Sequence, residues 1–343
     1  MSQDLLEKKT TQYSLNKKQN NGKIHRLHEF ISTKEELSEY IHLSKNEELA
    51  IHKNRHKFPL KITHHYANLL HNTDPSDPLR RIAIPSLDEF TEYPDDKKLD
   101  CHNDETKYQP MPGIIHRYPG KVLILPTMEC EGHCRFCYRS EKRITNLSNK
   151  KLEMVFNYIN NNSSIRDVIL SGGEPLTIGI KKLDYILSKI RSIKHVEIIR
   201  ITTHTPVYSP KKIDRAMISM LAKYKPLIML VSFLHPREIT KESCNALENL
   251  SNSGITLLQQ GPILKGINDN VETLKNLYEK LVMHRVIPYY AVWGIYSPNT
   301  RHFNVDKKKA KTIFMALENR TSGFCIPHMS TLDQNNFKTR TLG

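Results

Sequence analysis

The alternation of apolar runs and helix-like segments from residue 121 onward is the feature that most constrains the fold of this chain. The apolar runs are typical of buried strands, and their sequences are KVLILPT, RDVILSGG, VEIIRITTH, LIMLVSF, TLLQQGPIL and VIPYYAVW. Segments with helical spacing follow them, at 150–162, 180–193, 211–224, 239–253, 270–284 and 305–318. Strands and helices that alternate in this way form a parallel sheet. The sequence therefore predicts an α/β fold, a partial (β/α)6 barrel with its active site at the carboxyl ends of the strands.

The rest of the chain lacks this alternation and indicates additional parts. We expect a flexible polar tail at 1–25, an N-terminal helical extension at 26–115, the strand–helix core at 116–320 and a C-terminal segment at 321–343.

Within the extension, local signals predict two helices and a loop. Residues 33–54 have helical signals, and Thr33 with Glu36 forms the pattern of a capping box. A second helix is expected over 60–72, and the Asp- and Pro-rich stretch 86–112 is expected to be a connecting loop.

Charge and hydropathy restrict the partners and the compartment. The net charge is +15, but the positive residues are spread along the chain and are not interleaved with aromatic ones. A solvated basic surface explains this pattern, so we expect no nucleic-acid partner. No apolar run reaches 18 residues, and the N-terminus lacks the apolar core of a secretory signal, which predicts a cytoplasmic protein without a membrane partner.

Three of the six cysteines lie within eight residues, as Cys130, Cys134 and Cys137 in the pattern C-x3-C-x2-C. Cysteine thiolates are the usual ligands of iron–sulfur clusters. Three ligands for a [4Fe–4S] cluster leave one iron open, and that iron can chelate the amino and carboxylate groups of S-adenosylmethionine (SAM). A zinc site with His133 as the fourth ligand and a group of unpaired thiols are the two alternatives. The scattered cysteines are expected to be structural, and they are Cys101, Cys244 and Cys325.

A second motif, SGGEP, follows the second strand of the core. Gly172 and Gly173 allow a ligand to approach the backbone closely, and with Glu174 they are the predicted contact for the methionyl amino group of SAM. Gln260 ends a later strand and is expected at the same rim.

Longer stretches of the sequence resemble the lysine 2,3-aminomutase family of radical SAM enzymes. They lie between about 60 and 340 and include DPSDPLRRIAIPSLDEF, HRYPGKVLIL, CRFCYR, RDVILSGGEPL, HPREIT, GPILKGINDN and TSGFCIP. The resemblance implies a [4Fe–4S] cluster, SAM and pyridoxal phosphate (PLP), and migration of an amino group from C2 to C3 of an amino acid. It also implies an external electron donor, and it is compatible with a homo-oligomer.

The resemblance assigns roles to individual residues. Arg139 stands where the family binds the substrate carboxylate, a task that suits a planar guanidinium. Arg117 and Tyr118 match residues near PLP, and Lys121 stands where an arginine is usual. Lys338 is the candidate for the Schiff-base lysine.

Several positions depart from the lysine-specific pattern. Ile295 occupies the position of one aspartate that holds the substrate ε-ammonium, and Thr331 or Leu332 occupies the other, with Asp333 out of register. A buried ammonium without its carboxylates is costly, so the predicted substrate is an amino acid other than free lysine.

Other departures concern the surroundings of PLP. His204 replaces an arginine common in the family, Val292 replaces a tyrosine, and Trp293 makes the pocket more aromatic. They leave open the alternative of a PLP-independent radical SAM enzyme that catalyses oxidation, elimination or epimerisation of an amino-acid-derived substrate. A radical SAM enzyme that modifies RNA is a third hypothesis, which the positive charge alone supports.

Overall fold

The structure, a computed structural model, describes residues 29–94, 107–140, 146–294, 297–332 and 339–341. A nine-stranded sheet forms its centre. Its strands are β3 (Ile114–Tyr118), β4 (Lys121–Thr127), β5 (Asp167–Gly172), β6 (Ile198–Thr203), β7 (Leu227–Val231), β8 (Thr256–Pro262), β9 (Val286–Trp293), β10 (His328–Leu332) and β11 (Thr339–Thr341). Their order across the sheet is β11-β10-β9-β8-β7-β6-β5-β4-β3. A separate two-stranded sheet pairs β1 (Phe30–Ile31) with β2 (Ile62–Thr63).

Helices connect the parallel strands. The described α-helices are α1 (Lys34–Ser38), α2 (Lys45–Asn54), α3 (His64–Ala67), α4 (Pro78–Ala83), α5 (Asn149–Asn160), α6 (Ile180–Ser192), α7 (Thr205–Tyr208), α8 (Arg215–Leu221), α9 (Lys241–Asn252), α10 (Val271–Met283) and α11 (Lys307–Glu318). Neighbouring strands from β4 to β10 pair in parallel, whereas β3 and β11 pair antiparallel at the two edges. The predicted α/β fold with six strand–helix units is therefore confirmed.

The two faces of the sheet differ in burial. Along β5, Val168 and Leu170 are buried, whereas Asp167, Ile169 and Ser171 are only partly buried. The same alternation recurs along β6 and β8. A parallel sheet covered on both faces would be buried at every position. One face of this sheet therefore packs on helices, and the other lines an open concavity.

The extension differs from its prediction in two places. Residues 33–54 form two helices, because Ser44 and Glu47 make a second capping box that starts a new helix at Lys45. The prediction of a helix over 60–72 is wrong, since Ile62–Thr63 pairs with Phe30–Ile31 and only α3 is helical within that range. The first capping box, Thr33 with Glu36, is confirmed.

The sequence also missed strands at both ends of the core. His116, Arg117 and Tyr118 of the HRYP stretch belong to β3, and β10 adds a seventh parallel strand beside β9. Among the described residues, no helix combines the length and the hydropathy that a membrane span requires.

Candidate active site

The three clustered cysteines lie on the loop that follows β4, and none of the five described cysteines forms a disulfide. Burial raises the pKa of Cys130 well above its usual value, and the nearby charges of Cys137 and Cys134 raise it further. Burial also raises the pKa of Cys134 to about 12. Three neighbouring, partly buried thiols with raised pKa values are costly to ionise alone, and bound iron would compensate their charge. This donor set fits an iron–sulfur cluster.

His133, the fourth ligand of the zinc alternative, makes its hydrogen bond and its ring contact with the N-terminal extension. Its Nδ1 lies 2.8 Å from the carbonyl oxygen of Pro59, and its ring stacks on Phe58 with centroids 4.4 Å apart. Within the described ranges, no three His, Cys, Asp or Glu side chains are arranged to hold a single metal ion. Three sulfurs at the corners of a larger cluster need not converge on one point, so the geometry favours the cluster over zinc.

The same loop is attached to the N-terminal extension. The backbone N–H of His133 donates to the carbonyl of Lys61 at 2.9 Å, and that of Arg135 donates to Ile82 at 2.8 Å. The buried Arg135 guanidinium forms an ion pair with the buried carboxylate of Glu89, with Nε donating to Oε1 at 2.9 Å. Arg135 is therefore a structural link between the loop and the extension.

The glycines of SGGEP lie against the backbone that leads into the cysteine loop. A Cβ on Gly173 would lie 2.3 Å from the carbonyl oxygen of Glu129, and one on Gly172 would lie 2.4 Å from that of Thr127. Gly172 also has a φ of +105°, in the region that favours glycine. Both positions require glycine so that β5 can approach the loop.

The Glu174 carboxylate is directed into the protein. It accepts hydrogen bonds from Thr203 Oγ1 at 2.8 Å, from the His204 N–H at 2.7 Å and from the Leu176 N–H at 3.1 Å. Burial nevertheless raises the pKa of Glu174 to about 7. Because this side chain holds the end of β6, and because the N–H and the carbonyl of Glu174 are hydrogen-bonded as well, Glu174 supports the motif rather than offering a free group to a ligand.

Two side chains beside the cluster loop stand out only in the structure. Cys134 Sγ lies 3.3 Å from Tyr208 Oη and 3.6 Å from His204 Nδ1. In the sequence, His204 stands out only as a replacement, and nothing singles out Tyr208. Their spacing of four residues, which places two side chains on one side of a helical turn, was the available signal. Gly132 was also missed, and a Cβ there would lie 2.3 Å from the Tyr208 ring.

The residues with expected PLP roles lie near the amino end of β4, opposite the end that leads into the cysteine loop. Arg117 and Tyr118 end β3, and Lys121 begins β4, with its Nζ 4.2 Å from the centre of the Tyr118 ring. The hydrogen bond with Tyr289 is the main cause that raises the pKa of Tyr290 to about 12, and burial and Tyr118 add to the rise.

The remaining predicted residues have different placements. Gln260 pairs in register with Tyr290 and is partly buried on β8. The Arg139 guanidinium lies over the Tyr138 ring at 4.5 Å, and its backbone N–H donates to the Cys137 sulfur. Lys338, Ile295, Asp333 and Cys101 lie outside the described residues.

A small pocket lies at the carboxyl ends of β8 and β9, beside the cysteine loop. Its described lining contains no charged side chain and consists of Phe136, Pro262, Ile263, Leu264, Val292, Gly294, Thr300, Phe303 and Asn304. A charged substrate group in this pocket would have no countercharge among these residues.

Comparison with known proteins identifies the family. The family model "Radical SAM superfamily" matches residues 124–280. L-lysine 2,3-aminomutase from Clostridium subterminale is 39% identical over 302 residues, which cover 87% of this chain and 72% of that protein. This chain belongs to the radical SAM lysine 2,3-aminomutase family. Glutamate 2,3-aminomutase from Clostridioides difficile is 35% identical over 294 residues, which cover 85% of this chain and 69% of that protein.

Membership in the family makes the chain a radical SAM isomerase of the aminomutase type. The superfamily implies SAM and a [4Fe–4S] cluster, and it fits a small-molecule substrate and an electron donor. The relatives include enzymes named for substrates with oppositely charged side chains, lysine and glutamate. Family membership therefore leaves the substrate of this chain to be argued from its own residues.

Proposed function

We propose that this chain is a SAM- and PLP-dependent 2,3-aminomutase whose substrate is an amino acid with an uncharged side chain. The observation that carries this proposal is that the positions of the two lysine-binding aspartates hold Ile295 and either Thr331 or Leu332. The small pocket beside the cysteine loop agrees with it, because its described lining has no charged side chain. Phe136 of that lining lies between the cluster ligands Cys134 and Cys137 in sequence, so the pocket adjoins the place where the radical would form.

Each group would be held by residues of different elements. Cys130, Cys134 and Cys137 would bind the cluster, and the backbone of SGGEP together with Gln260 would contact SAM. Their common position at the carboxyl ends of the strands supports this arrangement. SAM would supply the radical that removes a hydrogen atom from the substrate.

Arg117, Lys121 and Lys338 would hold PLP, which would carry the migrating amino group. Arg117 and Lys121 flank the β3–β4 turn, where their charges suit a phosphate. Arg139 would bind the substrate carboxylate, and its position two residues after Cys137 supports that role. The SGGEP, Gln260, Arg139 and PLP assignments all rest on the family resemblance together with these placements.

The test uses anaerobic, cluster-loaded full-length protein with added PLP and borohydride. Reduction should fix PLP on Lys338, detected by peptide mass spectrometry, and Lys338→Ala should abolish the adduct without changing the cluster absorbance. Lys308→Ala, a substitution on the surface helix α11, is the matched control and should keep the adduct. A cluster-loaded protein that forms no adduct would refute PLP use and favour the PLP-independent alternative.

The substrate is tested separately with lysine, glutamate and a panel of neutral amino acids, with β-amino acid products measured by mass spectrometry. We expect turnover of a neutral member and none of lysine or glutamate. Turnover of lysine at a rate equal to or above that of every neutral amino acid would refute the role given to the pocket.

A further inference from the structure

Two polar side chains converge on the sulfur of one cluster ligand. Tyr208 Oη lies 3.3 Å and His204 Nδ1 lies 3.6 Å from Cys134 Sγ. A thiolate bound to iron has lone pairs but no proton, so it can only accept hydrogen bonds. A tyrosine hydroxyl at neutral pH carries a proton, and a histidine with its proton on Nδ1 can donate as well. Both contacts therefore have the chemistry of donors to the cluster ligand.

The position of His204 is fixed by its backbone. Its N–H donates to the Glu174 carboxylate at 2.7 Å, and the same carboxylate accepts from the preceding Thr203. Glu174 in turn donates its own N–H to Glu129 at 2.7 Å, just before the first ligand, Cys130. The end of β6 and the start of the cluster loop are thus bound to one residue, which holds the imidazole against the loop.

The position of Tyr208 is fixed by packing on both sides of its ring. Tyr66 stacks on it with centroids 4.6 Å apart, and Gly132 of the cluster loop lies against it without a side chain. The Tyr208 carbonyl also accepts a hydrogen bond from the buried Thr63 hydroxyl. The ring has no room to turn its hydroxyl away, so the contact with Cys134 is built into the fold.

We infer that Tyr208 and His204 are positioning residues that raise the reduction potential of the cluster by donating hydrogen bonds to the Cys134 thiolate. The reduced cluster carries one more negative charge than the oxidised one, and donors stabilise the more negative state. Tyr208 is buried and Cys134 is partly buried, and an oriented donor acts more strongly there than in water. This inference depends on the cluster and is independent of the substrate and of PLP.

The test is an EPR-monitored redox titration of the cluster in the absence of SAM and substrate, so its result does not depend on the proposed reaction. Tyr208→Phe keeps the ring and removes only the hydroxyl, and His204→Leu removes the ring nitrogens. Each variant should have a lower midpoint potential than the wild type, and the double variant should be the lowest. His204→Asn, whose side-chain amide can donate from a similar place, should recover part of the loss.

Tyr66→Phe is the matched control. Its ring stacks on Tyr208, but its hydroxyl donates to Glu238 at 2.9 Å rather than to a cysteine. Iron content of each variant shows whether the cluster is present. Wild-type potentials in cluster-loaded Tyr208→Phe and His204→Leu, or an equal shift in Tyr66→Phe, would overturn the inference.

If Tyr208→Phe fails to hold a cluster, the His204→Leu and His204→Asn pair still decides the histidine contact. Pulsed EPR of the reduced wild-type protein with ¹⁵N-labelled histidine then provides a reading without any substitution. A nitrogen coupling that disappears in His204→Leu supports the contact, and its absence from the wild type overturns it.

Discussion

Gly132→Ala should prevent the cluster loop from closing on the sheet. The added Cβ would lie 2.3 Å from the Tyr208 ring, whereas ordinary contacts begin near 3.4 Å, a shortfall of 1.1 Å. The ring cannot retreat by that distance because Tyr66 stacks on its other side with centroids 4.6 Å apart. The loop must move instead, and overpacking of this kind costs about 1–3 kcal/mol. We expect a large loss of bound iron after anaerobic reconstitution.

Iron and sulfide per chain, with the cluster absorbance, measure this loss. Gly120→Ala is the control, because the nearest atom to its added Cβ is 3.8 Å away. Tyr208→Val should restore cluster binding to Gly132→Ala, since it removes the ring that the methyl group strikes. Normal iron content in Gly132→Ala, or no recovery in the double variant, would refute the reasoning.

Three further predictions concern stability, measured by urea unfolding. Arg135→Met should cost about 3–5 kcal/mol, because it leaves the buried Glu89 carboxylate without its guanidinium. Gln259→Leu should cost about 1–3 kcal/mol for each orphaned group, because the amide bonds both the N–H and the carbonyl of Phe233 in the interior. Burial raises the pKa of Glu238 from 4.5 to about 7, so the unfolded state loses this proton first as pH rises. Between pH 5 and pH 8 the wild type should therefore lose about 2.5 kcal/mol relative to Glu238→Gln.

Each of these predictions has a control or a contrary result. Arg166→Met, which breaks an exposed ion pair with Glu197, should change stability little, and an effect as large as that of Arg135→Met would contradict the argument from burial. For Gln259→Leu, a free energy of unfolding equal to that of the wild type would contradict the prediction. For Glu238→Gln, a stability difference from the wild type that stays constant between pH 5 and pH 8 would contradict the raised pKa.

The succession of strands and helices along the core could be predicted because each strand is an apolar run with a helical segment after it. The RDVILSGG run, for example, became β5, and the next helix begins at Ile180 as the spacing indicates. The helix expected over 60–72 failed because Ile62–Thr63 takes its conformation from pairing with Phe30–Ile31, a partner thirty residues earlier. Apolar spacing within a segment contains no information on such a partner.

The cysteines and SGGEP could also be located by their spacing and by the strands that precede them. The contact between Gly132 and Tyr208 could not, because it joins the cysteine loop to helix α7, which is distant in sequence, and depends on the placement of β6 beside β5 and of β5 beside β4. Glu174 shows a second limit. Its motif indicates ligand binding, but three neighbouring hydrogen-bond donors use its carboxylate for support.

The attachment of the cluster loop to the N-terminal extension has a consequence for the size of the smallest working enzyme. The family match begins at residue 124, but Pro59, Lys61, Ile82 and Glu89 supply partners to the loop between Cys130 and Cys137. A chain trimmed to the matched residues would keep all three cysteines and lose these partners. The catalytic unit is therefore larger than the segment that carries the motif, and its metal-binding loop can reach its native shape only when the extension has folded around it.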